Sequence, residues 1–201
     1  MVKFASKLII LLFAWLTFFA HSEEHAYLDS VREYLKNLKH VTAEFVQIDQ
    51  KGNEQKGKFF LSRPGKMRWE YNAPNEILVV MDGDKIYYYD KELDQGSNYM
   101  NKKGLTSLFA EEDIFLSKEI KIEEFRENDD SLKVVFTLKD QPTKLSVIFD
   151  KNPLKILGFI VEEESGNKIA IELTNLETHF SMDQKIFQYT QNLAPKRQRK
   201  K

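Results

Sequence analysis

Arg63 is the residue whose setting most needs a chemical reason. It follows Lys58-Phe59-Phe60-Leu61-Ser62 and precedes Pro64-Gly65, after which Met67, Trp69 and Tyr71 alternate with Lys66, Arg68 and Glu70. Counting in twos from Phe59 and Leu61 places Arg63 on the apolar face of a strand, at its end. A guanidinium has five donors and stays charged, so there it needs acceptors or water. Unpaired carbonyls at the C-terminal end of a covering helix would supply them, and a side chain that snorkels to solvent would need none. The chemistry in prospect is holding by hydrogen bonds, not bond making.

Other chemistry-bearing residues lead nowhere comparable. His21-Ser22-Glu23-Glu24-His25 fits the H-x-x-E-H pattern of a zinc peptidase, which needs both imidazoles on one helix. Here the pattern straddles the end of an export signal, where no helix is expected, and we read it as a chance match. His40 and His179 lack metal-ligand spacing, and the chain has no cysteine and no Gly-rich phosphate loop. We expect no catalytic centre, no metal and no cofactor. The acidic runs Glu111-Glu112-Asp113 and Glu162-Glu163-Glu164 read as solvated faces, with a basic partner patch as the second reading.

The N-terminus carries Lys3 and Lys7 and then an apolar run from Leu8 to Ala20, shorter than the roughly 20 residues a spanning helix needs. This is a secretory signal pattern, and Ala20-His21-Ser22 supplies small residues for cleavage after Ser22. We expect residues 1–22 to be a cleaved signal peptide, 23–195 one domain, and 196–201 a basic, disordered tail. With no cysteine the exported chain has neither a disulfide nor a lipid attachment site, so it should be soluble beyond the inner membrane. Residues 1–22 hold two of the 30 basic residues and none of the 31 acidic ones, which leaves a formal charge of −3. Five positive charges lie in the last six residues, so the body is near −8 and nucleic acid is not an expected partner.

The elements that must position Arg63 follow from periodicity. Tyr27, Leu28, Val31, Tyr34, Leu35 and Leu38 recur at helical spacing. From Val41 the period becomes two, with a hairpin link at Lys51 to Gly57. Strands are expected at Lys66 to Tyr71, Glu76 to Met81, Lys85 to Asp90, Lys121 to Phe125, Leu132 to Leu138, Lys144 to Phe149, Lys155 to Val161 and Lys168 to Leu173. Gly104 to Leu116 breaks the rhythm, with Leu105, Leu108 and Phe109 at helical spacing. About ten short strands and two helical interruptions predict a mainly β fold with a single antiparallel sheet.

One parity of these strands carries Phe59, Leu61, Met67, Trp69, Tyr71, Val134, Phe136, Leu138, Leu145, Val147, Phe149, Ile169, Ile171 and Leu173. Two helical segments are little cover for so broad an apolar surface. Either the sheet closes on itself, or its concave face keeps room for an apolar ligand. An ordinary packed core under two helices fits the composition as well.

Phe45-x-Gln47 after the first helix, Arg63 to Pro74, Asp82 to Gln95, the Leu105 to Phe109 helix and Phe187-Gln-Tyr189 together resemble the LolA family of periplasmic lipoprotein carriers. The resemblance runs in order through nearly the whole exported chain. Three features depart from it: Tyr87 stands where tryptophan is usual, Lys91 where proline is usual, and the Pro-x-Gly after the last strand is missing.

What the resemblance implies is an incomplete, half-open β-barrel covered by an α-helical lid. It implies a periplasmic chaperone that accepts the acyl chains of lipoproteins from an ATP-driven inner-membrane release complex and passes them to an outer-membrane receptor. On this expectation Arg63 is the lid latch. Phe59, Leu61, Met67, Trp69, Tyr71, Val134, Phe136 and Val147 wall the acyl-chain cavity, Leu105, Leu108 and Phe109 belong to the lid, and the working protein is a monomer. The alternative is a periplasmic sensing module on the same half-barrel. Such modules usually carry a second domain, for which this chain has little room.

Overall fold

The computed structural model describes residues 26–100, 110–116, 120–139 and 141–188. Residues 26–37 form helix α1, whose Val31 and Leu35 are fully buried while Arg32, Glu33 and Lys36 face solvent. The chain then builds β1 (His40–Asp49), β2 (Glu54–Ser62), β3 (Lys66–Tyr71), β4 (Ile77–Asp82), β5 (Lys85–Asp90) and β6 (Gln95–Met100). After a 3-10 turn at Ile114–Leu116 come β7 (Ile120–Glu127), β8 (Ser131–Leu138), β9 (Gln141–Lys151), β10 (Leu154–Glu162) and β11 (Lys168–Thr178). A last 3-10 turn spans Gln184–Phe187.

All eleven strands belong to one sheet in the order β6-β5-β4-β3-β2-β1-β11-β10-β9-β8-β7. Every pairing is antiparallel, β1 pairs with β11 at the centre, and the sheet does not close. Alternation placed most strands to within a few residues. β6 is the exception: Gln95-Gly96-Ser97-Asn98-Tyr99-Met100 is exposed throughout, so no apolar face announces it. The first hairpin turns earlier than its polar residues suggest, because Glu54 to Gly57 already pair with β1.

The sheet is strongly curled. β3 and β10 are four strands apart, about 19 Å in a flat sheet. The Trp69 and Phe159 rings on these strands nevertheless lie 6.1 Å apart. Register shifts at Thr42/Glu44, Ile122/Glu124 and Ile156/Gly158 bend the strands and increase their twist. One continuous core therefore joins Phe59 and Met67 on one arm to Phe136, Val147 and Phe149 on the other.

α1 lies over this concave core. Tyr34 meets the Phe149 ring edge-on at 6.0 Å, and its hydroxyl accepts the Ile156 N–H at 3.0 Å. That N–H is available because the bulge at Ile156/Gly158 interrupts the ladder. The outer face of β2 to β5 has a second, smaller cluster, in which Val80, Tyr87 and Tyr89 are covered by Phe187 with Phe60, Leu78 and Ile186 around them. Two of the three consecutive tyrosines thus face away from the concave side.

Candidate functional site: an apolar cleft beside a buried arginine

Arg63 is 5% exposed. Its Nη1 donates to the Leu35 carbonyl oxygen, in the last turn of α1, where helix carbonyls lack an internal donor. The backbone around it is fixed from the same direction. Arg63 N–H donates to Lys39 O at 2.8 Å and Gly65 N–H to Ala110 O at 2.6 Å. Gly65, at φ +79, takes the left-handed conformation this turn demands. The strand end is therefore tied both to α1 and to the segment at 110–116.

Burial disfavours the charge, and the nearby Asp113 carboxylate only partly offsets it, so the Arg63 pKa falls to about 10. At neutral pH the guanidinium is still protonated. It does not snorkel to solvent; it lies beneath α1. Asp113, from a run that reads as a solvated face, is half-buried, accepts the Phe115 N–H at 2.9 Å and faces Arg63 electrostatically. Phe115 itself sits under Arg32 and against Phe136.

Beside Arg63 the concave face forms a cleft lined by Leu38, Val41, Phe59, Leu61, Met67, Trp69, Ile156, Phe159, Leu173 and Leu176, with no polar lining surface. Its cavity volume is only about 30 Å³. A water needs roughly 10–15 Å³ by that measure, so the cleft in this conformation is nearly shut. Trp69 packs against Phe59 at 4.4 Å and Phe45 at 5.0 Å, which makes it the hub of the aromatic wall.

Five of the residues singled out by alternation, Phe59, Leu61, Met67, Trp69 and Leu173, line the cleft together. Tyr71 packs against the same core one ring further along. Val134, Phe136 and Val147 are fully buried in the other arm of the core and are not among the lining residues. Leu105, Leu108 and Phe109, and the histidines of the His21 to His25 stretch, lie outside the described residues. Alternation alone missed Ile156, Phe159 and Leu176 as cleft residues, because only the curl brings β10 and β11 opposite β3. Among the described residues no three His, Cys, Asp or Glu side chains gather into a metal-holding group, and no helix is long and apolar enough to cross a membrane.

Residues 36–190 match the family described as outer membrane lipoprotein carrier protein LolA. The chain belongs to the LolA family. Among curated relatives, the outer-membrane lipoprotein carrier protein of Methylococcus capsulatus is 26% identical, covering 94% of this chain and 95% of its own. That of Chromohalobacter salexigens is 31% identical over 70% of this chain and 69% of its own. Among solved structures, an uncharacterized conserved protein from Thermus thermophilus superposes with a TM-score of 0.51 at 11% identity, covering 86% of this chain and 96% of that one. This last likeness speaks for the fold alone.

Proposed function

We propose that this LolA-family chain is a periplasmic lipoprotein carrier. It takes up the acyl chains of lipoproteins released from the inner membrane by an ATP-driven complex and delivers them to an outer-membrane receptor. The observation that carries the reading is the wholly apolar, aromatic-walled cleft beside a buried arginine held by a helix carbonyl. On this reading residues 1–22 are removed on export, 196–201 are a basic solubilising tail, and the carrier works as a monomer without cofactor. Leu105, Leu108 and Phe109 belong with α1 to the helical lid of an incomplete barrel, and Arg63 is its latch. Val134, Phe136 and Val147 join the acyl-chain site once the lid opens.

Energetics favour a lid that opposes binding. Acyl burial stabilises by about 0.8 kcal/mol per methylene, so several long chains fully buried would pass the roughly −20 kcal/mol limit of non-covalent complexes. A carrier that tight would not release its cargo. Here the cleft is nearly closed, so loading has to part α1 from the sheet and break the Arg63 bond to Leu35. That opening cost is returned on release.

The test is to add the purified protein to energised inner-membrane vesicles holding a labelled triacylated lipoprotein and to separate soluble label by gel filtration. Label should enter a soluble complex only with this protein and ATP. Label that stays with the vesicles, while a competent carrier releases it, would overturn the transport reading.

A further inference from the structure

One ring beyond the cleft the concave face becomes polar. Phe45 lies edge-on to Trp69, which walls the cleft, and to Tyr71, with centroids 5.0 Å apart in each pair. Phe45, Gly57 and Tyr71 are register partners across β1, β2 and β3. The Phe45 ring takes the space over Gly57, where a Cβ would stand 2.7 Å from that ring and 2.0 Å from the Glu70 carbonyl oxygen. Tyr71 reaches from β3 to β1, where its hydroxyl donates to Gln47 Oε1 at 2.8 Å. One side chain thus spans two strand separations, roughly 9.5 Å.

Gln47 and Tyr71 are both half-buried, and Gln47 lies in register with the apolar Ile171 of β11. Burial pushes the Tyr71 hydroxyl's ionisation up, so it is a neutral donor at neutral pH. The bond it makes fixes the Gln47 amide, turning the Nε2 hydrogens away from Tyr71. Among the described residues none accepts from that Nε2. A donor held at the end of an aromatic wall fits an acceptor carried by an apolar chain, and an ester or amide carbonyl is such an acceptor.

We propose that Gln47 and Tyr71 form a carbonyl subsite of the cleft, in which the Gln47 amide donates to an ester or amide carbonyl oxygen at the base of a bound acyl chain. The subsite rests on the carrier reading and adds selection for acylated ligands over hydrocarbon as such. The diacylglyceryl groups of lipoproteins and of phospholipids both carry this carbonyl.

The test compares three probes on the purified protein: a lipopeptide with two ester-linked chains on a glyceryl-cysteine, its dialkyl ether analogue of equal chain length, and a diacyl phospholipid. The parent protein should bind the ester probe about three- to tenfold tighter than the ether, the worth of one neutral hydrogen bond. Gln47→Leu should abolish that preference and Tyr71→Phe reduce it, with each variant's circular dichroism and urea midpoint read separately to show that it folds. Phospholipid binding with the same Gln47 dependence would show that the ester is read whatever its source. Phospholipid binding indifferent to Gln47 would confine the subsite to the glyceryl-cysteine lipid. Equal binding of ester and ether by the parent overturns the subsite and leaves the carrier reading intact. Failure to bind either lipopeptide overturns both.

Discussion

Replacing Arg63 with leucine removes the charge that ties α1 to the end of β2, and the structure sets the scale of the effect. The guanidinium is 5% exposed, and its pKa falls to about 10. That fall below its value in water, net of the Asp113 attraction and at 1.36 kcal/mol per pH unit, is a penalty on the charge of roughly 3 kcal/mol in the closed state. A charge-assisted hydrogen bond such as that to the Leu35 carbonyl returns about 1.5–3 kcal/mol.

Leucine keeps much of the buried apolar stem and has no charge to desolvate, but it leaves the Leu35 carbonyl without this donor. A buried carbonyl so deprived costs about 1–3 kcal/mol, which lifting the end of α1 into water recovers. Arg63→Leu should therefore shift the equilibrium about tenfold toward the open form and slow delivery of cargo. Hydrogen exchange of the α1 amides, expected about tenfold faster, reads the first effect, and lipoprotein transfer reads the second. Because the folded pKa lies below the unfolded one, the charge penalty is complete below about pH 10 and eases only above it. The parent's exchange should show no contribution from this group between pH 6 and 9. Unchanged or slower α1 exchange in the variant would refute the latch.

Gly57→Ala should destabilise the fold by about 1–3 kcal/mol, since its Cβ would press on backbone 2.0 Å away; a urea midpoint equal to the parent's would contradict this. Tyr34→Phe removes the acceptor for the Ile156 N–H at the β10 bulge and should cost about 1 kcal/mol by the same measurement, with α1 exchange rising in step. Asp49 accepts from the Asn53 side chain and from the backbone N–H groups of Asn53 and Lys51, which hold its pKa below 3.8. Its support of the first hairpin is thus complete above pH 3.8 and lost as the pH falls below it, so Asp49→Ala should loosen that hairpin's amides at pH 7 and not at pH 2.

The sequence by itself determined which residues share a face. Side chains alternate along a strand, so Phe59, Leu61, Met67 and Trp69 had to point the same way once their strands existed. It also determined the amphipathic first helix, the antiparallel architecture and the position of Arg63 at a strand end. β6 stayed hidden because its six residues bury nothing and so carry no period.

Tertiary structure alone decided what those faces meet. Curl accumulates from interstrand twist and from bulges such as Ile156/Gly158, and no short window of sequence encodes the sum. That sum brings Trp69 to Phe159 and makes a cleft of residues far apart in the chain. Arg63 finds a backbone carbonyl 28 residues away, an acceptor every residue possesses and no side-chain pattern marks. Tyr71 meets Gln47 across two strand separations, a pairing that exists only once β3, β2 and β1 lie side by side.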